Sequence, residues 1–309
     1  MAIVMEEHEL RQLVQSCRFA ARNGKIPDYI PALKKADPGL FGCVVCNGEK
    51  TITAGEVEEP FTLQSVSKII SLALALMDKG EEAVFQKVGM EPSGDPFYTL
   101  QALEEGRPSR PMNPMINAGA LAVTSLLAGN STEEKLGRLL AFVHELTENT
   151  SINICEETAQ SELEHADLNL ALCHYMKSHG VVHGNMEELL EVYIKQCALR
   201  VTCRDLAKIG SVIGRNGNDP ATGRSIIPPR IARIVKTFMV TCGMYNASGE
   251  FAIKAGIPTK SGISGALVSA LPDGTGIGIV SPPLDEKGNS AGGVKLLETL
   301  AERRKLSIF

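Results

Sequence analysis

An apolar run near position 70 constrains the fold more than any other stretch of the chain. Residues 66–76 place Ile, Leu or Ala on nearly every face of a helix, and Gly80 then supplies a natural stop. A helix that is apolar on all sides belongs in the core of a large protein. With 309 residues, the chain is long enough for such a core, or for two lobes that share one site. The pattern therefore predicts a buried helix that begins near Ser65.

Two polar side chains stand at the start of this helix. Ser65 and Lys68 are three positions apart, and such pairs lie on one helix face with Cβ atoms roughly 5–6 Å apart. Burial and the positive end of the helix dipole disfavour a lysine cation, so we expect the pKa of Lys68 to fall toward neutrality. A neutral lysine can activate the serine, and the Ser65 N–H can bind an oxyanion. The alternative is an N-cap serine followed by an exposed lysine.

The overall composition excludes two classes of partner. The formal net charge is −5, and no basic cluster stands out that would neutralise phosphates, so we expect no nucleic-acid partner. No apolar run reaches about 18 residues, the length needed to cross a bilayer, so we expect no membrane partner either. The acidic stretch from Met1 to Leu10 lacks the basic flank and apolar core of a secretory signal, which predicts a cytoplasmic location.

The eight cysteines predict reduced thiols rather than a metal site. They are scattered through apolar contexts, a pattern typical of buried and unpaired cysteines. Cys43 and Cys46 form the one Cys-x-x-Cys, but they fall in a strand-like run where residues three apart point to opposite faces. No second pair or His partner completes four ligands, so we expect no metal.

Hydrophobic periodicity and turn residues outline the order of the elements. In chain order we predict a helix (6–24), an extended loop (24–31), a β-hairpin around Asn47-Gly48 (41–46 and 51–54), mostly helical segments with loops at 91–96 and 107–111 (61 to about 215), three strands (252–256, 266–270 and 276–280) and a final helix (about 291–305).

This order predicts an α+β fold, with an antiparallel sheet flanked by helices and a mostly helical lobe. The sheet draws its strands from both ends of the chain. We expect one catalytic unit over 1–309, with an α/β lobe from about 1–60 and 225–309 and a helical lobe from about 61–224. The site is expected in the cleft between them. Small residues in the stretch Lys260–Gly265 allow a strand N–H to approach the nucleophile closely.

Other polar residues leave alternatives open when each is considered alone. Tyr29 is expected either to pack with its hydroxyl satisfied or to line a site. Asn117 opens a small-residue helix, so the default is an N-cap and the alternative is a carboxamide that points into a cleft. Residues 160–169 are polar at intervals, which is typical of a solvated helix face. Tyr193 lies in an apolar helix.

Longer stretches resemble one family over nearly the whole chain. Ser65-Val66-Ser67-Lys68 and Lys260-Ser261-Gly262 resemble the Ser-x-x-Lys and Lys-Thr-Gly elements of β-lactamases and penicillin-binding proteins. More closely, the chain is similar to the serine-dependent glutaminases, which share a β-lactamase-like fold. The matching stretches are Asp-Tyr-Ile-Pro (28–31), Pro-Phe-Thr-Leu-Gln-Ser (60–65), Asn-Pro-Met-Ile-Asn-Ala-Gly-Ala (113–120), Gln-Ser-Glu (160–162), Val-Thr-Cys (201–203), Cys-Gly-Met-Tyr (242–245) and Ser-Pro-Pro-Leu-Asp (281–285).

The resemblance implies a role for each matching residue. Ser65 would be the nucleophile, Lys68 its base, and Tyr245 a further catalytic group. The substrate contacts implied are Tyr29, Ser65, Asn117, Glu162, Asn169, Tyr193, Tyr245 and the backbone of Ile263, which completes the oxyanion hole. The supporting residues implied are Gln64, Lys260, Ser261 and Gly262. The family often has Val at position 263, and Ile retains the same backbone donor.

The implied activity is hydrolysis of L-glutamine to L-glutamate and ammonia through a γ-glutamyl ester, with no cofactor and no metal. Glu162 matches the ammonium of glutamine, and the Asn and Tyr side chains offer neutral donors and acceptors for the other groups. Similar glutaminases assemble as dimers or tetramers, so a homo-oligomer is implied. Two other functions compete: a different serine amidohydrolase, such as a β-lactam hydrolase or peptidase, and a non-catalytic amino-acid binding protein.

Overall fold

The computed structural model describes residues 5–48, 50–93 and 110–309 of the chain. Three of the predicted regions lie wholly or partly outside the described residues. They are the first residues of the acidic N-terminus, position 49 of the hairpin turn and most of the two proline-rich loops. The helices within these ranges are α1 (Glu7–Ala21), α2 (Ser67–Lys87), α3 (Asn117–Ser125), α4 (Thr132–Thr147), α5 (Glu156–Leu163), α6 (Asp167–Ser178), α7 (Met186–Cys197), α8 (Cys203–Gly214), α9 (Pro229–Thr241), α10 (Ser248–Lys254) and α11 (Ala291–Arg304). The strands are β1 (Gly42–Cys46), β2 (Thr51–Gly55), β3 (Phe61–Thr62), β4 (Arg200–Val201), β5 (Thr259–Ser261), β6 (Ala266–Ala270) and β7 (Gly276–Val280).

A five-stranded antiparallel sheet has the order β2-β1-β7-β6-β5. It therefore combines strands from both ends of the chain, which confirms the predicted α+β class. The predicted hairpin is β1–β2, in which Val45 pairs with Ile52 and Cys46 with Thr51. A second, two-stranded sheet pairs β3 with β4 and leads the chain directly into the segment before α2.

Strand β7 shows why helices cover both faces of this sheet. Its sequence alternates Gly and Ile, so Ile277 and Ile279 point to one face, where they join the core formed with α1 and α11. Gly276 and Gly278 point to the other face and allow α8 to pack directly on the strand. A β-carbon on Gly276 would lie 1.9 Å from the Ala207 carbonyl oxygen, so no larger residue fits there.

The predicted buried helix is α2, and its apolar residues from Ile69 to Leu76 are all buried. Gly80 interrupts this helix, as expected of a stop, because its backbone is left-handed with φ 81°. A further helical segment then continues to Lys87. Helix α2 joins the largest hydrophobic cluster, so the first turn of α2 is held rigidly in the core.

The prediction of a strand at 252–256 is wrong, because these residues belong to α10 and the turn that follows it. Phe251 and Ala255 are buried four residues apart, which is a helical spacing that this short apolar run did not reveal. The β-like reading beyond residue 225 also missed α9, which begins with a proline at its first position and buries Ile231, Val235 and Phe238 on one face.

Within the ranges that the structure describes, no helix has the length and apolar character needed to cross a membrane.

Candidate active site

A cavity of about 980 Å³ opens beside the start of α2. Most of the predicted site residues line it: Tyr29, Gln64, Ser65, Asn117, Glu162, Asn169, Tyr193 and Ile263. Lys68, Tyr245, Lys260, Ser261 and Gly262 lie behind this lining, and all of them are buried. The structure thus brings together residues from seven separate parts of the chain.

Ser65 lies in a short 3-10 turn, Gln64–Val66, between β3 and α2. Gln64 has a left-handed backbone with φ 47°, so the chain turns sharply just before the nucleophile candidate. The loop after β5 packs on this turn. A β-carbon on Gly262 would lie 2.6 Å from the Leu63 carbonyl oxygen, and the Ser264 hydroxyl donates to the Thr62 carbonyl at 2.6 Å. The small residues at Gly262 and Ser264 therefore allow this loop to pack directly on the segment that leads to Ser65.

Lys68 is only 1% exposed. Its Nζ donates to Asn117 Oδ1 at 2.7 Å and to the Met115 carbonyl at 3.1 Å. Burial lowers the pKa of Lys68 to about 8, against the opposing charges of Cys197 and Glu162. The alternative of an N-cap serine with an exposed lysine is therefore wrong, and a large fraction of Lys68 is neutral near pH 8.

Asn117 is the first residue of α3, and the N-cap position belongs to Ile116. The default interpretation of Asn117 as a cap is therefore wrong, because its carboxamide points into the cleft. Its Oδ1 accepts from Lys68 and from the Tyr193 hydroxyl at 3.3 Å, while its Nδ2 donates to Asn169 Oδ1 at 3.1 Å. One side chain thereby links the base candidate to two residues on the helical side of the cavity.

Glu162 is buried on α5, so the solvated-face interpretation of residues 160–169 is wrong at this position. Gln160 and Glu164 on the same helix are exposed and follow that interpretation. Burial raises the pKa of Glu162 to about 7, although a hydrogen bond from Gln64 and the charge of Lys68 both oppose this rise. Gln64 Nε2 donates to Glu162 Oε2 at 3.4 Å. No cation among the described residues forms an ion pair with this carboxylate, and a buried carboxylate of this kind is suited to receive a cationic ligand.

Tyr245 lies behind the cavity wall and also has a left-handed backbone, with φ 52°. Burial raises its pKa, and a hydrogen bond between the side chains of Tyr245 and Ser65 opposes that rise. Lys260 Nζ lies 4.5 Å from the centroid of the Tyr245 ring and donates to the Ser261 carbonyl at 2.6 Å. Burial and the charge of Lys68 hold the pKa of Lys260 well below its usual range.

Tyr29 is 55% exposed and lines the mouth of the cavity, so the interpretation of Tyr29 as a packing residue is wrong. The sequence interpretation also missed Cys197, which lines the cavity four residues after Tyr193 on α7. A spacing of four residues places Tyr193 and Cys197 on one helix face, so the sequence did contain a signal for Cys197 as a site residue. The segment 284–288 also lines the cavity, although no role was predicted for its residues.

In the described part of the chain, no cluster of three or more His, Cys, Asp or Glu side chains is arranged to hold a metal ion. The residues present offer a hydroxyl, an amine whose pKa is lowered to about 8, a phenol and a buried carboxylate in one cavity and directly behind its lining. Such a set is suited to acyl transfer on a substrate that carries a cationic group.

Comparisons with known proteins agree with this chemistry. The family model described as Glutaminase matches residues 24–309. Glutaminase 1 of Halalkalibacterium halodurans is 55% identical, and the match covers 98% of this chain and 99% of that protein. Glutaminase 2 of Bacillus subtilis is 51% identical, and the match covers 99% of this chain and 100% of that protein.

Among solved structures, a Bacillus subtilis glutaminase in covalent complex with 5-oxo-L-norleucine, formed by reaction with 6-diazo-5-oxo-L-norleucine, superimposes with a TM-score of 0.90. It is 39% identical, and the match covers 98% of this chain and 99% of that chain. A Bacillus glutaminase solved in the presence of 4.3M NaCl gives a TM-score of 0.91 at 39% identity, over 98% and 99% of the two chains. These matches confirm the expected β-lactamase-like α+β fold. Because both the family model and these relatives span nearly the whole sequence, the chain belongs to the glutaminase family of hydrolases.

Proposed function

We propose that this glutaminase hydrolyses the side-chain amide of L-glutamine to L-glutamate and ammonia through a Ser65 acyl-enzyme. The observation that carries the proposal is the placement of Ser65 and the buried Glu162 on one cavity, with Lys68 in the same buried cluster. A nucleophile alone would suit many amides, but a buried carboxylate in the same cavity favours an amide that carries an ammonium.

The amino-acid end of glutamine binds on the helical side of the cavity. Glu162 receives the α-ammonium, because its carboxylate is buried and it accepts a hydrogen bond from the neutral amide of Gln64. Asn117, Asn169 and Tyr193 form a hydrogen-bonded group that offers neutral donors and acceptors for the other polar groups of the substrate. Tyr29 lines the same cavity and is half exposed, so it can contact the substrate near the opening.

The acylation step transfers one proton and forms one bond. Neutral Lys68 takes the hydroxyl proton of Ser65 while Ser65 Oγ bonds to the carboxamide carbon. The backbone N–H groups of Ser65 and Ile263 stabilise the oxyanion of the tetrahedral intermediate. Asn117 holds Lys68 in place through its 2.7 Å hydrogen bond.

The C–N bond then breaks as Tyr245 donates its proton to the departing nitrogen, which leaves as ammonia. The phenolate recovers a proton from the protonated Lys68, so the two groups return to their starting states. Water attacks the γ-glutamyl ester in the second step, and the Ser65 hydroxyl is regenerated together with L-glutamate. The supporting residues pack against or hydrogen-bond to the catalytic and binding groups or to one another; they are Gln64, Lys260, Ser261 and Gly262.

The covalent adduct known for the Bacillus subtilis relative supports a nucleophilic mechanism, because that protein reacts with an analogue of glutamine. To test the proposal, the enzyme is mixed with L-glutamine, quenched at short times and digested for mass spectrometry. We expect a γ-glutamyl group on the peptide that contains Ser65, and equal amounts of ammonia and glutamate on longer incubation. A Ser65→Ala variant that still releases ammonia at a normal rate would contradict the proposal.

We propose further that the chain is a single catalytic unit, with an α/β lobe near 1–60 and 225–309 and a helical lobe near 61–224. The packing of α8 on the sheet joins the two parts. A homo-oligomer, either dimer or tetramer, is proposed by analogy with the family. All eight cysteines are free thiols and all but Cys46 are buried, which supports a reducing location such as the cytoplasm.

A further inference from the structure

The conformation of Tyr245 is one that its own backbone disfavours. A left-handed φ of 52° is uncommon for a residue with a side chain, and such residues persist only where the surrounding structure holds them. Tyr245 also belongs to a short 3-10 turn, Tyr245–Ala247, and its side chain meets Ser65. The groups that hold this turn therefore determine where the phenol lies relative to the nucleophile.

Two side chains bind the backbone on either side of Tyr245. Ser248, the first residue of α10, follows the turn directly, and its hydroxyl accepts from the Met244 N–H at 3.0 Å and donates to the Tyr245 carbonyl at 2.8 Å. Asn289 comes from a distant part of the chain, and its Nδ2 donates to the Met244 carbonyl at 3.3 Å. Asn289 thus joins the turn to the segment that precedes α11.

Asn289 is itself rigidly placed. It is fully buried, and it lies directly before Ser290, whose hydroxyl caps α11. Its backbone N–H donates to Asp285 Oδ1 at 2.9 Å, and its carbonyl accepts from the Asp285 N–H at 2.7 Å. The neighbouring Gly288 packs beside the phenol, since a β-carbon there would lie 3.8 Å from two carbons of the Tyr245 ring. Backbone hydrogen bonds and packing therefore hold Asn289 at a defined place beside the ring.

We infer that Asn289 is a positioning residue for Tyr245: its amide holds the Met244 carbonyl, and through it the left-handed turn that directs the phenol toward Ser65. The inference rests on the proposed role of Tyr245 as the proton donor to the departing ammonia. Loss of the Asn289 amide should leave the substrate's binding groups in place but should misplace the donor.

The test uses the variants Asn289→Leu, Tyr245→Phe and the double variant, together with Asn218→Leu as a matched control. Asn218 Nδ2 also donates to a backbone carbonyl, that of Arg215 at 3.2 Å, but it does not line the catalytic cavity. Asn289→Leu should fold, because the Met244 carbonyl still accepts from the Ala247 N–H at 3.0 Å. If the Leu variant does not fold by circular dichroism, Asn289→Ala takes its place.

Two substrates separate a positioning role from a structural one. L-glutamine needs a proton for its leaving ammonia, whereas the methanol of L-glutamate γ-methyl ester departs with much less help from a donor. For Asn289→Leu we expect kcat on glutamine to fall about 10- to 100-fold with KM within about twofold, and kcat on the ester to fall less than about threefold. Asn218→Leu should retain the wild-type kcat on both substrates.

The double variant decides whether Asn289 acts through Tyr245. If it does, Asn289→Leu should cause no further loss on glutamine once Tyr245→Phe is present. Losses that multiply, or an equal loss on both substrates, would overturn the inference while leaving the proposed function intact. An unchanged rate for Tyr245→Phe alone would instead overturn the proton-donor role of Tyr245, and it would therefore also overturn the positioning role of Asn289.

Discussion

Replacing Glu162 with Gln tests how the enzyme recognises the amino-acid end of its substrate. The change keeps the shape of the side chain but removes the charge that we propose binds the α-ammonium. A hydrogen bond to a charged group contributes about 1.5–3 kcal/mol, which corresponds to about a 10- to 150-fold loss in kcat/KM. Because Glu162 is only 9% exposed, solvent screens this interaction little, and we expect a loss in this range for glutamine at pH 8.

The loss should depend on pH in a direction that the structure specifies. The pKa of Glu162 is raised to about 7, so the wild-type carboxylate is mostly ionised at pH 8 and mostly protonated at pH 6. The ratio of wild-type to variant kcat/KM should therefore fall roughly tenfold between pH 8 and pH 6, since only the wild type loses its charge. The charge of Glu162 also raises the pKa of Lys68, so its removal should shift the Lys68 titration to lower pH and reduce the ratio further at pH 6.

The measurement is kcat/KM by ammonia release on L-glutamine and L-asparagine between pH 6 and 9. Asparagine is one methylene shorter, so an anchored α-end holds its carboxamide short of Ser65, and misplacement of about 1 Å costs on the order of a hundredfold. Glu162→Gln should weaken this anchoring and reduce the preference for glutamine.

Glu164→Gln provides the matched control, because Glu164 lies on the same stretch but is exposed. We expect it to leave kcat/KM unchanged. Equal efficiency of the wild type on both amides would refute the anchoring, as would a Glu162→Gln variant that behaves like Glu164→Gln.

Three further predictions follow from the site. Lys68→Ala should abolish turnover while the protein stays folded, because the nucleophile loses its base; a near-normal rate at neutral pH would show that another group is the base. For the wild type, kcat/KM should rise with pH as Glu162 loses its proton near 7 and Lys68 near 8, so a profile that falls over this range would contradict both assignments. EDTA should leave the rate unchanged, because the proposed steps use only side chains and backbone N–H groups; loss of activity in EDTA with recovery on adding zinc would disprove this.

Much of the fold follows from periodicity that is visible within short segments. The all-round apolar pattern of 66–76 predicted the buried α2, and the alternation of Gly and Ile in β7 gives one strand two different faces. These predictions succeeded because the pattern repeats within a single element. The strand predicted at 252–256 failed because five residues are too few to distinguish a helical spacing from a short apolar strand.

The family and the general chemistry were also within reach of the sequence, since long stretches of it resemble the serine-dependent glutaminases. The environments of individual site residues were less uniformly predictable from the sequence than the family was. Ser65 and Lys68 are close in the chain, so their pairing was predictable from helix geometry. The local pattern of residues 160–169 favoured a solvated face, and it was the family resemblance that implied a substrate contact for Glu162. The packing of α5 against the rest of the chain shows that Glu162 is buried.

The sequence by itself determined most of the elements, the family and the Ser-Lys pair, because each of these is encoded by neighbouring residues or by long matching stretches. Only the tertiary structure decided the environment of those residues. The contact between Lys68 and Asn117 joins positions 49 apart, and the support that Asn289 gives to the Tyr245 turn joins positions 45 apart. The apolar pattern around Lys68 already predicted that burial lowers its pKa, which is about 8 in the structure. The pKa of Glu162 near 7 also arises from burial, but that burial depends on how distant segments pack.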